Sequence, residues 1–103
     1  MNIREFEAWV NRKGLRIERR VKLKDNEMYV CEGYCRGDRD LFSPHYKTLF
    51  AVSNGPEDIT LGEFFITEII FPVASKTDRL NEAERRGREF YDDMVRVKEC
   101  QTV

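Results

Sequence analysis

From Leu15 to Lys24 apolar and polar residues alternate with a period of two, and Asp25-Asn26 follows. Asp and Asn tolerate the positive φ of a tight turn, so Leu15 to Cys35 reads as a β-hairpin closed by those two residues. That register sets Leu23 opposite Met28, Val21 opposite Val30, Arg19 opposite Glu32 and Ile17 opposite Tyr34 on a buried face. A wet face then carries Arg16, Glu18, Arg20, Lys22, Lys24 and Tyr29, with Cys31 and Cys35.

Before the hairpin, Ile3, Phe6, Trp9 and Val10 share one helical face. Asn2 is placed as N-cap with Glu5 in the capping-box position, Arg12-Lys13 suit the C-terminal dipole, and Gly14 suits the closing residue. This pattern predicts a helix over 3–13, with Trp9 as a core anchor. After the hairpin, residues 36–44 are rich in turn formers and charges and read as a loop, Arg36-Gly37-Asp38 included. His45 to Ser53 alternates again, predicting a third strand.

The stretch from Pro56 to Phe71 supports two readings. Its β-branched and aromatic residues suit a strand, while Pro56 with Glu57 and Asp58, or Thr60 with Glu63, suits a helix start. The helix is the expectation, buried nearly all round and ended by Pro72. A last helix begins near Ser75, and Leu80, Ala83, Gly87, Phe90, Met94 and Val97 form a heptad seam. Glu82 with Arg86, Glu84 with Arg88 and Asp92 with Arg96 are i,i+4 pairs on its solvated side. Gly87 within the seam costs on the order of 1 kcal/mol relative to Ala unless another backbone packs close, and a neighbouring helix is the expected cause. The fold expected is therefore α+β: a helix, a three-stranded antiparallel sheet with Ile17, Val21, Leu23, Val30 and Tyr34 on its inner face, and two C-terminal helices.

At 103 residues, 41% hydrophobic and 36% charged, the chain has the size and make-up of a single domain over residues 1–103. No apolar run reaches the ~18–20 residues of a membrane span, and the opening Met1 to Glu5 lacks a secretory pattern, so no membrane association and a cytoplasmic location are expected. Three cysteines, an odd number, fit reduced thiols better than a disulfide framework. Residues 1–50 carry eleven Lys/Arg against eight Asp/Glu, and residues 51–103 carry seven against eleven, a dipole of +3 against −4 that can steer association.

Candidate chemistry is sparse. His45 is the one histidine, and its neighbours Ser43, Pro44 and Tyr46 match no catalytic signature, so no enzymatic activity is expected. Cys31, Cys35, His45 and Cys100 are the residue types of a zinc site. Residues i and i+4 of a strand, however, lie about 13 Å apart unless a bulge, which Gly33 could allow, intervenes. Neither metal nor cofactor is expected. Arg16, Arg20, Lys22 and Lys24 with Tyr29 form a basic ribbon able to track a phosphate backbone.

The helix, three strands and two helices, the Met1-Asn2-Ile3 opening into an amphipathic helix, and Glu89-Phe90-Tyr91-Asp92-Asp93-Met94 resemble the small phage-encoded anti-CRISPR proteins of the Cas9-inhibitor type. The resemblance implies a protein that occupies the PAM-reading site of a CRISPR effector, with carboxylates on a strand connection and the last helices standing in for DNA. The expectation is a non-enzymatic protein-binding module, an inhibitor of a CRISPR effector or other host defence nuclease. Its contacts would come from Arg36, Asp38, Arg39, Asp40, Glu57, Asp58, Asp92 and Asp93. The alternative is a nucleic-acid-binding accessory protein using the basic hairpin.

Overall fold

A computed structural model of the chain describes residues 1–24, 26–35, 45–53, 64–71 and 75–101, apart from the side chains of Cys35 and of residues 98–101. The order is α1 (Ile3–Arg12), β1 (Arg16–Lys22), β2 (Glu27–Cys35), β3 (His45–Ser53), β4 (Phe64–Phe71) and α2 (Lys76–Gln101). The strands form one antiparallel sheet in the order β1-β2-β3-β4. Four strands and a single C-terminal helix replace the expected three strands and two helices. Phe64–Phe71 is the segment that differs. Its side chains alternate between the faces of the sheet, and its aromatic and β-branched residues pack on pleated surfaces as well as their run suggested a buried helix.

The α1 helix starts as its sequence predicts: Asn2 Oδ1 accepts the Glu5 N–H at 2.9 Å. It ends at Arg12 with Lys13 as cap, and Gly14 at φ 75° turns the chain so that the Leu15 N–H reaches the Val10 carbonyl at 3.0 Å. Trp9 is half-buried, stacked on Phe6 and capped by Lys13, whose Nζ lies 4.8 Å from the ring centroid.

The hairpin exists with a different register. Val21 faces Met28 and Lys22 faces Glu27, so four residues, Leu23 to Asn26, connect the strands, and the Leu23 N–H donates to the Asn26 carbonyl at 2.9 Å. Asp25 lies outside the described residues. A bulge at Glu18 shifts the register again, pairing Ile17 with Cys31 and turning Ile17 to the opposite face from Val21. The register of β2 with β3, by contrast, runs unbroken through Gly33.

Both faces of the sheet are covered. On one, α1 supplies Phe6 and Val10, which pack with Leu15, Tyr29, Cys31, Leu49 and Ala51. On the other, α2 supplies Leu80, Ala83 and Tyr91 against Met28, Val30, Phe50, Val52 and Ile69. Tyr29 and Cys31, expected on a wet face, are thus 1% and 0% exposed, because α1 packs where solvent was expected. Tyr34, expected inside, is 54% exposed at the end of β2 and leans on Tyr46. Gly87 has its close neighbour, but the sheet provides it. A Cβ there would run into the Met28 sulfur and sit 3.3 Å from the Phe50 ring, so the glycine lets α2 lie directly on β2 and β3.

Candidate protein-binding surface

The placement of α2 begins with its cap and a buried ion pair. Ser75 Oγ accepts the Asp78 N–H at 3.2 Å. One turn on, Arg79 donates from Nε and Nη2 to the two carboxylate oxygens of Glu32 at 2.8 and 2.7 Å, and Thr48 Oγ1 donates to the same carboxylate at 2.7 Å. The guanidinium also lies 3.3 Å from the Tyr46 ring centroid. The side chains of Arg79 and Glu32 are 5% and 7% exposed. Burial alone would raise the Glu32 carboxyl, but the hydrogen bonds from Arg79 and Thr48 and the charges of Arg79 and Lys76 outweigh it and hold it below 4.5. The hydrogen bond to Glu32 in turn raises the Arg79 pKa against the effect of its burial. With its oxygens bound this way the carboxylate serves as an anchor for α2. The sequence pairing of Arg19 with Glu32 is therefore corrected: Arg19 reaches Asn81 at 2.9 Å and Glu84 at 3.4 Å, because the four-residue connection sets it opposite Val30.

From this anchor α2 runs over the sheet and past its end. Its 26 residues span about 39 Å at 1.5 Å per residue, whereas a nine-residue strand spans about 30 Å. Leu80, Ala83, Gly87 and Tyr91 are buried, and Phe90 packs between Phe50 and Phe65, at 6.0 and 5.5 Å between ring centroids. Beyond that point the helix outruns its cover. Val97 is 56% exposed and Phe65 40% exposed. Phe65, Phe90, Asp93, Met94 and Val97 line an open groove of about 350 Å³. Asp92 and Asp93 are exposed here, and Asp93 pairs with Arg96 at 3.8 Å, replacing the expected Asp92 to Arg96 pair. Nearer the sheet the expected Glu82 to Arg86 and Glu84 to Arg88 pairs are present at 2.9 and 3.3 Å. Hydrogen bonds from Arg85 and Arg86 hold the Glu82 carboxyl down to about 2.

Of the other residues singled out as partner contacts, Arg36, Asp38, Arg39, Asp40, Glu57 and Asp58 lie outside the described residues. The segment carrying the first four leaves the sheet at Cys35 and returns at His45, and that carrying Glu57 and Asp58 leaves at Ser53 and returns at Phe64. The length of β3 separates the two pairs of anchor points. The second pair is at the end where α2 overhangs, since Phe64 adjoins Phe65 of the groove.

The basic ribbon lies along β1, one of the two outer strands, and the connection that follows it. Arg16, Arg20, Lys22 and Lys24 are exposed, and Arg20 donates to Glu7 at 3.0 Å while its guanidinium lies over Tyr29, 5.5 Å from the ring centroid. Tyr29 itself is buried among Phe6 and Phe64 and donates its hydroxyl to Glu27 at 2.6 Å, so no base can stack on it. Burial pushes the Cys31 thiol up to about 12, with Glu18 adding to the effect, which leaves almost no thiolate at neutral pH. His45 is 2% exposed at the start of β3. Among the described residues no group of three or more His, Cys, Asp or Glu could hold a metal ion. No helix among them is long and apolar enough to cross a membrane.

The fold and surface define a small α+β domain: a four-stranded antiparallel meander with a short helix on one face and a long, overhanging helix on the other. Comparison of the chain with protein-family models, curated proteins and solved structures gives no match.

Proposed function

We propose that the chain is a non-enzymatic protein-binding module acting as a phage-type inhibitor of a CRISPR effector or another host defence nuclease in the cytoplasm. The observation that carries this reading is the overhang of α2, where the exposed carboxylates of Asp92 and Asp93 adjoin an apolar groove lined by Phe65, Phe90, Met94 and Val97. Carboxylates suit the basic channels in which nucleases hold DNA, and an apolar groove beside them gives a protein partner the desolvated contact that charge alone lacks. The buried Glu32 to Arg79 pair fixes the near end of the helix, so the overhang is held by the sheet.

The test is target cleavage by a purified Cas9-type effector and guide, preincubated with the protein. Cleavage falls with the wild-type chain, and the Asp92→Lys/Asp93→Lys variant, unchanged in circular dichroism, needs at least tenfold more protein for the same effect. Undiminished cleavage removes the effector from the proposal. A gel shift of labelled DNA by the free protein that Arg20→Glu/Lys22→Glu abolishes would replace it with the nucleic-acid-binding reading.

A further inference from the structure

The two outer strands of the sheet are built differently. β1 is interrupted by the bulge at Glu18 and carries Arg16, Arg20 and Lys22, exposed, on its seven residues, features that keep an edge from pairing with another strand. β4 has none of these. It pairs with β3 through eight consecutive residues without a bulge and contains no proline. Among the described residues no strand pairs with its outer edge. Its one charge, Glu68, is matched within the chain by Lys13 at 3.7 Å and Lys47 at 3.9 Å.

From this edge we infer that β4 pairs antiparallel with β4 of a second copy, joining two four-stranded sheets into one of eight strands about a two-fold axis at Thr67. The order of residues in the strand favours its own copy over an unrelated one. Phe64 and Phe65 stand at its start, and Ile69 and Ile70 precede Phe71 at its end, so an antiparallel partner centred on Thr67 brings the first two against the isoleucines. With Thr67 opposite itself, Phe65 faces Ile69 of the partner subunit, Phe64 faces Ile70 of the partner subunit, and Ile66 faces Glu68 of the partner subunit. These are the aromatic to β-branched pairs that stabilise sheets, and the two carboxylates do not oppose each other. A two-fold axis perpendicular to the sheet keeps each face continuous, so Phe65, 40% exposed, and Ile70, 49% exposed, are each covered on their own side.

Seven pairs make a seam roughly 24 Å long, and with one layer of side chains on each face it buries about 500 Å² per copy. That is below the ~800 Å² of a standard interface, so the dimer is a weak one whose population rises with concentration. This inference is argued from the edge of β4 and not from the inhibitor reading, with which it shares Phe65.

Sedimentation equilibrium of the wild-type protein between about 1 and 500 µM then shows the mass doubling across the range. Thr67→Glu, which sets two carboxylates opposite each other at an exposed position, stays at the monomer mass with an unchanged circular dichroism spectrum. Thr67→Cys, mildly oxidised, gives a covalent dimer at least tenfold faster than the wild-type chain with its three native cysteines, because opposed residues in an antiparallel pair bring their Cβ atoms within disulfide reach. A wild-type monomer at 500 µM overturns the inference. So does a dimer that Thr67→Glu leaves intact, or cross-linking of Thr67→Cys no faster than the wild type.

Discussion

Replacing Arg79 with Met keeps most of the side-chain stem over Tyr46 and removes the two donors that hold the buried Glu32 carboxylate. Removing one partner of a buried ion pair typically costs about 3–5 kcal/mol. The carboxyl has one escape, which is to bind a proton. From its ordinary value of 4.5, protonation at pH 7 costs roughly 3.4 kcal/mol at about 1.36 kcal/mol per pKa unit. The loss in Arg79→Met is therefore about 3–4 kcal/mol at pH 7, or a fall in melting temperature of roughly 12 °C or more for a chain of this size. The sign of the pH dependence follows. In the variant the folded Glu32 pKa lies above the unfolded one, so the variant gains stability as pH falls toward 4.5, by up to about 1.4 kcal/mol per unit. In the wild type the folded pKa is depressed, so stability is nearly constant over the same range. Urea unfolding followed by circular dichroism at pH 7, 6 and 5 measures the difference, which shrinks to about 1 kcal/mol at pH 5. Glu32→Gln/Arg79→Met, in which the amide oxygen still accepts from Thr48, removes the slope and recovers at least 1 kcal/mol at pH 7. A loss below about 1 kcal/mol in Arg79→Met, or a loss independent of pH, would refute the anchoring role of the pair.

Other outcomes follow from single contacts. Below pH 4.5 the wild type loses the contribution of Glu32 as pH falls through its depressed folded pKa, so Glu32→Gln has a flatter acid limb, checked by melting temperature from pH 5 to 2. Adding salt to about 0.5 M raises the NMR titration midpoint of the exposed Glu82 carboxyl from near 2 toward 4.5 but leaves the buried Glu32 depressed, because only surface pairs are well screened. Gly87→Ala overpacks Met28 and Phe50 and costs about 1–2 kcal/mol net of its better helix propensity; an increase in denaturation midpoint would contradict the contact. Phe6→Ala, at a side chain with no exposure, costs about 3–5 kcal/mol in the same assay.

What the sequence disclosed depended on whether one local signal sufficed. α1 had its cap at Asn2 and its apolar face at Phe6 and Val10, β3 had clear alternation, and the first half of the α2 seam is the buried half. The strand reading of Phe64–Phe71 is open in the sequence but not decided by it, because six of its eight positions are apolar and a run so short and continuous suits a buried helix and a strand equally. The hairpin is legible but its register is not, since a four-residue connection and a bulge each shift pairing without leaving a turn signature. The burial of Tyr29 and Cys31 is not legible in the pattern, because alternation reports which side chains differ, and a sheet covered on both faces buries the second set too. At the site, Asp92 and Asp93 are visible as acidic residues of a last helix, whereas Phe65 reaches the groove from β4, a segment whose sequence suits a helix equally. Arg79 gave one faint sign: an arginine beside Leu80 in the first turn of an apolar seam, where a charge needs a buried partner.

On the proposed reading the overhang of α2 is the working surface, and amide hydrogen exchange of the protein alone and saturated with the Cas9-type effector and guide tests that most directly. The amides from Phe90 to Val97 gain protection of tenfold or more in the complex, while those of Arg16–Lys22 exchange as in the free protein. Protection confined to Arg16–Lys22, with Phe90 to Val97 unchanged, would contradict the account.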